Sequence, residues 1–453
     1  MLTNLRLQNF KSWKDTKDIR LAPLTGLFGA NSSGKTSLLQ FLLMLKQTAE
    51  SADRSRVLHT GDDRAYVDLG TFYDLTYRHE ESDTLLYALE WQLREPLNIK
   101  DPEQESARLF QIKKLQFEAT VRNVAGVVQV DNFSYRFDGR QFGMERRSNS
   151  DKKDDYSLLF AGYDLKRTRG RPWLLPHPVK SYGFPDQVNA YYQNAGFLSE
   201  LVLALEEQFQ QIFYLGPLRE YPNRQYLWAG DRPRDVGSRG EQAVSALLAS
   251  RRAGKVIRRG RGRTNQTVEE CVAMWLKTLG LIHGFDLKPI AENRKEYEVR
   301  VRRTASSPEV LITDVGFGVS QILPVLVLCF YAPEGSTLIL EQPEIHLHPA
   351  VQAGLADVFI DAIKTRKVQI ILESHSEHLL RRLQLRIAEE KLSPEQTALY
   401  FAAISDRGIS HLQQLDLDSF GNIRNWPDNF FGDEMGDLVA MTEAAMQRQM
   451  ELS

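Results

Sequence analysis

Alternation with a period of two dominates the first third of the chain. Leu85, Tyr87, Leu89, Trp91 and Leu93 alternate with their neighbours, as do Leu115, Phe117, Ala119 and Val121, and then Phe133, Tyr135 and Phe137, with Gly126 and Asp138-Gly139 as turn signals. Strands of that kind bury one face, so the pattern predicts an antiparallel meander. A different pattern brackets it. Leu24 to Phe28, Ser336 to Leu340 and Val368 to Leu372 are short unbroken apolar runs, which read as strands buried on both faces. Helical stretches accompany them: Ser37 to Leu45, the apolar Ile322 to Tyr331, and Val351, Leu355, Val358 and Ala362 on one helical face. Arg146 to Lys180, polar and broken by Pro and Gly, predicts a loop, and Leu198 to Phe213 a helix. No heptads are sustained in between, which excludes a long coiled-coil arm.

The buried runs end in chemistry. The first leads into Gly29-Ala30-Asn31-Ser32-Ser33-Gly34-Lys35-Thr36, which satisfies G-x-x-x-x-G-K-[ST] at every position. Glycines let backbone N–H groups curl around a phosphate, Lys35 reaches the β- and γ-phosphates, and the Thr36 hydroxyl is a Mg²⁺ ligand. The helix opening at Ser37 turns its positive end toward the same anion. The second run ends in Glu341-Gln342-Pro343-Glu344, with Glu341 placed to sit beside Mg²⁺. The third ends in Glu373-Ser374-His375. Ligands gather at the carboxyl ends of parallel strands, so Lys35, Glu341 and His375 are expected at one sheet edge. Asp314 to Gln321, a glycine-rich turn before a buried helix, presents N–H groups suited to a γ-phosphate on a facing subunit.

Together these segments resemble the ABC-type ATPase heads of the SMC/RecF group, and most closely the stand-alone bacterial ATPases related to the OLD family. The resemblance rests on Asn9-Phe10-Lys11-Ser12-Trp13, the phosphate loop, Asp314 to Gln321 in the signature position, Leu338 to Pro349 as Walker B and Glu373 to Ser376 around a switch histidine, and it covers about residues 1–50 and 305–400. It implies an α/β P-loop fold of ABC-head type: a mixed or parallel sheet with flanking helices, an antiparallel β subdomain and an insertion between two ATPase halves. The implied division is 1–95 and 305–405 for the halves, 96–304 for the meander and insertion, and 406–453 for a small C-terminal module of the kind attached to this subgroup. It also implies ATP and Mg²⁺ as cofactors and a homodimer or higher oligomer clamping two ATP molecules. In that assembly Gly29, Asn31, Ser32, Ser33, Gly34, Lys35, Thr36 and Ser37 bind nucleotide, with Lys11 and Ser12 contributing from the first strand. Gly316, Gly318 and Ser320 form the signature, Thr36 and Glu341 hold Mg²⁺, and His375 senses the γ-phosphate. Relatives of this kind sit in anti-phage defence or DNA-repair modules beside a separate nuclease or toxin, which implies a partner effector.

Two departures bear on turnover. Gln342 stands where the family has a glutamate that polarises the attacking water, and glutamine is no base near neutral pH. Glu344 is the nearest replacement, or else a carboxylate orienting His346 or His348. In the signature, Gly316 replaces the usual serine and Ser320 lies one turn later. The residues Glu344, His346, His348, His375, Glu377 and His378 invite a zinc reading, but they fall inside the ATPase motifs. Asp416 and Asp418 mimic the acidic pair of a Toprim nuclease; only about 78 residues follow His375, so no nuclease site is expected.

Composition narrows partners and compartment. Arg251, Arg252, Lys255, Arg258, Arg259, Arg261 and Arg263 form a basic segment that suits phosphates of DNA, whereas the whole chain carries a net charge of only -2. In Gly216-Pro217-Leu218-Arg219-Glu220-Tyr221-Pro222-Asn223-Arg224, followed by Arg232, Arg234 and Arg239, an arginine is a candidate to act on phosphate across a dimer, against turn and ion-pair roles. Two cysteines, Cys271 and Cys329, far apart and in apolar surroundings, predict no disulfide framework and suit a reducing cytoplasm. The longest apolar stretch, Ile322 to Pro333, is too short to span a bilayer, and the N-terminus opens on a strand pattern with no signal-like region. Trp426, Phe430 and Phe431 are expected to staple the tail to the core, ahead of a final helix at 433–448.

Overall fold

The computed structural model describes residues 1–79, 84–100, 108–147, 155–170, 174–260, 262, 264–427 and 434–451. Phe430 and Phe431 lie outside them, as do Arg261 and Arg263.

Six strands form the sheet that carries the site, in the order Ile212–Leu215, Thr337–Glu341, Gln369–Glu373, Leu24–Gly29, Thr397–Ile404, Ser410–Gln414. The first five run parallel and the last is antiparallel to its neighbour. Alternation within these buried runs sends side chains into two different cores. Ile212, Tyr214, Ile339 and Ile371 join one core, with Leu38, Phe41 and Leu42 of the helix Lys35–Glu50. Phe213, Leu215, Leu338, Leu340, Ile370 and Leu372 join the other, with the helices Phe317–Tyr331 and Pro349–Arg366. Glu341 and Glu373 share the parity of Ile339 and Ile371, so both project to the face occupied by Lys35–Glu50.

The expected meander is present as an antiparallel sheet of eight strands that includes the N-terminal strand Leu2–Phe10. Trp91, Tyr87, Phe117, Phe133 and Tyr135 are buried beneath it. Two expectations change. Within the predicted loop 146–180, Tyr156–Ala161 is a strand that pairs with Arg140–Arg146, anchored by the buried Tyr156, whose hydroxyl donates to the Val130 carbonyl oxygen at 2.6 Å. The predicted helix 198–213 stops at Gln210, and Ile212–Leu215 enters the six-stranded sheet beside Thr337–Glu341, because its four residues are buried on both faces. Residues assigned to the insertion therefore furnish an edge strand of the six-stranded sheet. The tail is tied down through Trp426, which packs against the second core under the Arg381 guanidinium, 4.6 Å from the ring centre.

Gly29 ends the phosphate-loop strand at φ 128°, and a Cβ there would stand 2.1 Å from the carbonyl oxygen of Ala402 on the neighbouring strand. Backbone cannot yield as a side chain would. Gly29→Ala is therefore expected to cost about 2 kcal/mol or more, read from the urea midpoint; a shift within experimental error would show that the strand does not need this close approach.

Candidate functional site

The phosphate loop turns through left-handed backbone at Ser32 and Gly34, φ 59° and 93°, just before the helix Lys35–Glu50. Turns of this kind make concave nests of N–H groups that bind anions. No acidic residue lies in the first helical turn itself. Three neighbours fix the loop from behind. The buried Trp13 indole donates to the Gly34 carbonyl oxygen at 3.1 Å and to Ser37 Oγ at 2.9 Å. Ser410 Oγ meets Ser12 Oγ at 2.6 Å, and a side chain at Gly34 would stand 2.8 Å from each of these oxygens. Ser33 Oγ donates to the Ala30 carbonyl oxygen, while Asn31 and Ser32 stay exposed at the rim.

Lys35 is 2% exposed; its ammonium donates to the carbonyl oxygens of Ala30 at 2.6 Å and Gly29 at 3.1 Å. Its pKa is pushed down by burial and partly held up by Glu373, whose Oε1 lies 3.9 Å away. The Thr36 hydroxyl, expected beside Glu341, donates instead to Glu373 Oε2 at 2.7 Å. The reason is sheet order: Gln369–Glu373 lies between the phosphate-loop strand and Thr337–Glu341, with Glu373 level with Leu27 on one side and Glu341 on the other. Glu341 is 6% exposed, shares a hydrogen bond with Tyr214, and is raised to about 7, first by burial and then by the negative charge of Glu373. Glu373 is likewise raised by burial, against the pull of Thr36 and Lys35.

Gln342 follows with φ 43°, a strained left-handed conformation, and its N–H donates to the Glu373 carbonyl oxygen at 2.9 Å. Glu344 is buried, and its Oε1 accepts from the backbone N–H of His375 at 2.7 Å, so it holds the loop that carries His375. Its Oε2 has no partner. The His375 Nε2 lies 4.0 Å from Glu373 Oε1; burial and Lys35 both depress its pKa, favouring the neutral ring. Arg219, 5% exposed, sits behind Glu341, its guanidinium Nη2 3.4 Å from the Glu341 carbonyl oxygen and its Nε and Nη1 unpartnered. Burial lowers it to about 10, opposed by Tyr214, Glu341 and Glu344.

Other expected residues lie apart from this cluster or turn away from it. Lys11 donates its Nζ to Gln40 at 2.7 Å. Gly316 caps the exposed start of Phe317–Tyr331 and Gly318 lies in its first turn, but Ser320 is buried and its hydroxyl turns back to the Phe317 carbonyl oxygen at 2.7 Å. The histidines have separate tasks: the His346 ring lies 5.4 Å from that of Phe317, and His348 accepts from the Ala350 N–H at a helix start. Among the described residues no group of three or more His, Cys, Asp or Glu is placed to hold a metal. In the basic segment, Arg251 pairs with Glu269, Arg259 packs against Asp361, Lys255 donates to the Tyr331 carbonyl oxygen and Arg252 lies over Trp228, while Arg251, Arg252 and Arg258 are exposed. Four of these seven cations thus serve the fold.

Glu373, Tyr214, Trp13 and Ser410 were not assigned roles from sequence. Glu373 carried a signal, since both inner strands read Ile-Leu-Glu at their ends; Ser410 carried none, being brought to Ser12 only by the sheet. The cradle fits Mg-ATP. Lys35, the helix start and the loop suit the phosphates, and Glu341 and Glu373 are buried carboxylates level with one another at adjacent strand ends, beside the Thr36 hydroxyl. Mg²⁺ on a nucleotide needs only one or two carboxylates beside phosphate oxygens. When bound, it would neutralise charge on the β- and γ-phosphates.

No curated protein matches the chain. Among solved structures it is similar to the SMC head domain from Thermotoga maritima, at 11% identity and TM-score 0.43 over 92% of this chain and 99% of that one. It is similar also to an SMC head bound to the C-terminal winged-helix domain of ScpA, at 12% identity and TM-score 0.43, covering 92% and 98%. A third is an SMC head with an extended coiled coil bound to the C-terminal domain of ScpA, derived from Pyrococcus furiosus, at 11% identity and TM-score 0.42, covering 91% and 96%. Residues 392–441 match a model described as a protein of unknown function, DUF3696. Among the described residues no helix is long and apolar enough to cross a membrane. The model of the AAA ATPase domain matches residues 1–156 and 264–380, more than half of the chain, and the protein belongs to that family.

Proposed function

We propose that the chain is an ABC-type ATPase that binds Mg-ATP, pairs head to head with a second copy, and couples its nucleotide state to a partner effector. The observation that carries this reading is the convergence of Lys35, Thr36, Glu341, Glu373 and His375 at the carboxyl ends of three adjacent parallel strands, with both carboxylates buried. Lys35 and the loop bind and orient the phosphates, Thr36 and Glu341 hold Mg²⁺, and the neutral His375 is placed to sense the γ-phosphate. Support for a second copy comes from the start of Phe317–Tyr331: Gly316 and Phe317 are exposed there, and the first turn carries no acid. In this reading the ATPase unit is 1–95 and 305–405 together with the edge strands Ile212–Leu215 and Ser410–Gln414, and the remainder of 96–304 and 406–453 is available to an effector. A cytoplasmic place in anti-phage defence or DNA repair, with a separate nuclease or toxin as effector, follows from the resemblance to OLD-like ATPases. DNA as a direct ligand rests on the exposed Arg258 and its neighbours Arg261 and Arg263.

A second reading, an ATP-gated scaffold with little turnover that sequesters its effector, is favoured by Gln342, which cannot take a proton from water near neutral pH. Steady-state ATP turnover of the purified protein, with and without duplex DNA and with Lys35→Ala as the blank, separates the two. Turnover above the blank supports the working ATPase, stimulation by DNA supports the basic segment as its sensor, and turnover at the blank level leaves the scaffold.

A further inference from the structure

Glu373 closes a gap between the two halves of the nucleotide cradle. It is 3% exposed and receives the Thr36 hydroxyl at 2.7 Å, while its other oxygen faces Lys35 at 3.9 Å and His375 at 4.0 Å. On its far side it lies level with Glu341 on a parallel strand, and neighbouring strands are about 4.8 Å apart. The distance to Thr36 has a geometric meaning. Two adjacent ligands of an octahedral Mg²⁺, each about 2.1 Å from the ion, are about 3.0 Å from one another. Thr36 Oγ1 and Glu373 Oε2 are therefore already separated by nearly the edge of such an octahedron.

Resting on the Mg-ATP reading above, we propose that Glu373 ligates the magnesium of bound Mg-ATP directly, next to Thr36, so that two carboxylates rather than one hold the cation. Glu341 supplies the second from the adjoining strand. Two carboxylates on one Mg²⁺ are within its usual protein complement, and the ATP oxygens and water complete the shell. The arrangement ties cation retention to the strand that carries His375, two residues beyond Glu373, so loss of the ion and movement of the γ-phosphate sensor involve the same strand end.

The competing account gives Glu373 only a positioning role, as the acceptor that orients Thr36. Glu373→Gln separates them, because the amide oxygen still accepts from Thr36 while the charge is lost; Glu373→Ala removes both and Glu373→Asp keeps the charge. The full-length chain is titrated with a fluorescent ATP analogue in EDTA and at graded free Mg²⁺, and Mn²⁺ bound to the ATP complex is counted by electron paramagnetic resonance. The expected result is that Glu373→Gln binds the analogue in EDTA at least as well as the unsubstituted protein. It should need on the order of 10- to 100-fold more free Mg²⁺ for the metal-dependent increase, with a parallel loss of bound Mn²⁺. Glu373→Asp should retain most of that increase. A Mg²⁺ requirement unchanged in Glu373→Gln and altered only in Glu373→Ala would overturn direct ligation. Failure of the unsubstituted protein to bind the analogue at all would overturn the nucleotide reading itself; binding to which Mg²⁺ adds nothing would overturn the ligation alone.

Discussion

Replacing Lys35 by alanine is expected to lower ATP affinity by about two to four orders of magnitude, measured by isothermal titration. The ammonium is held at the loop by the Gly29 and Ala30 carbonyl oxygens and is positioned to exchange them for phosphate oxygens. Charge-assisted hydrogen bonds of this kind contribute roughly 1.5–3 kcal/mol each, and each 1.4 kcal/mol is a factor of ten. Two such bonds to the β- and γ-phosphates give the stated loss. The variant also leaves Glu373 without its buried cation, so circular dichroism must accompany the titration to show that the fold persists. Affinity within threefold of the unsubstituted protein, in a folded variant, would remove Lys35 from nucleotide binding.

Glu341→Gln is expected to reduce ATP turnover by about 100-fold or more while making the metal-free fold more stable. The first effect follows from losing a charged ligand of the ion that neutralises the transferring phosphoryl group. The second follows from the pKa of about 7, set by burial and the Glu373 charge, against an unperturbed 4.5. A carboxylate whose folded pKa is raised binds its proton more tightly in the native state. Its ionisation therefore costs stability as pH climbs from the unfolded pKa through the folded one, by up to about 3 kcal/mol above pH 7. In EDTA, the unsubstituted protein should lose stability between about pH 5 and 8, and the glutamine variant should lose less. Thermal unfolding at pH 5 and pH 8 checks this. Equal pH slopes would mean that the Glu341 charge is already compensated in the fold, and unchanged turnover would remove Glu341 from the metal site.

Much of the architecture was legible because the sequence wrote two periodicities. Period two over 85–137 marked the meander, and the unbroken runs at 24–28, 336–340 and 368–372 marked the parallel strands. Ile212–Leu215 was not separable from the helix before it, since a four-residue apolar run has no period of its own and only pairing with Thr337–Glu341 decides it. The phosphate loop was legible because its chemistry is contiguous. The rest of the cradle depends on sheet order, which the sequence does not state: the placement of Gln369–Glu373 next to the loop strand brings Glu373 to Thr36 and leaves Glu341 one strand further out. The same holds for Trp13 and Ser410, which reach Gly34 from separate strands. Ser320 depends on local geometry instead: one turn past Gly316, its hydroxyl bonds to the Phe317 carbonyl oxygen of the preceding turn, which the spacing alone does not state.

If Mg-ATP joins two copies of this chain, static light scattering on the purified protein will register the change in mass. With Mg²⁺ and a slowly hydrolysed ATP analogue at saturating concentration, the expected mass is twice that of the chain, falling to the monomer for Lys35→Ala. A monomer mass for the unsubstituted protein, under conditions where titration shows the analogue bound, would contradict the head-to-head pairing.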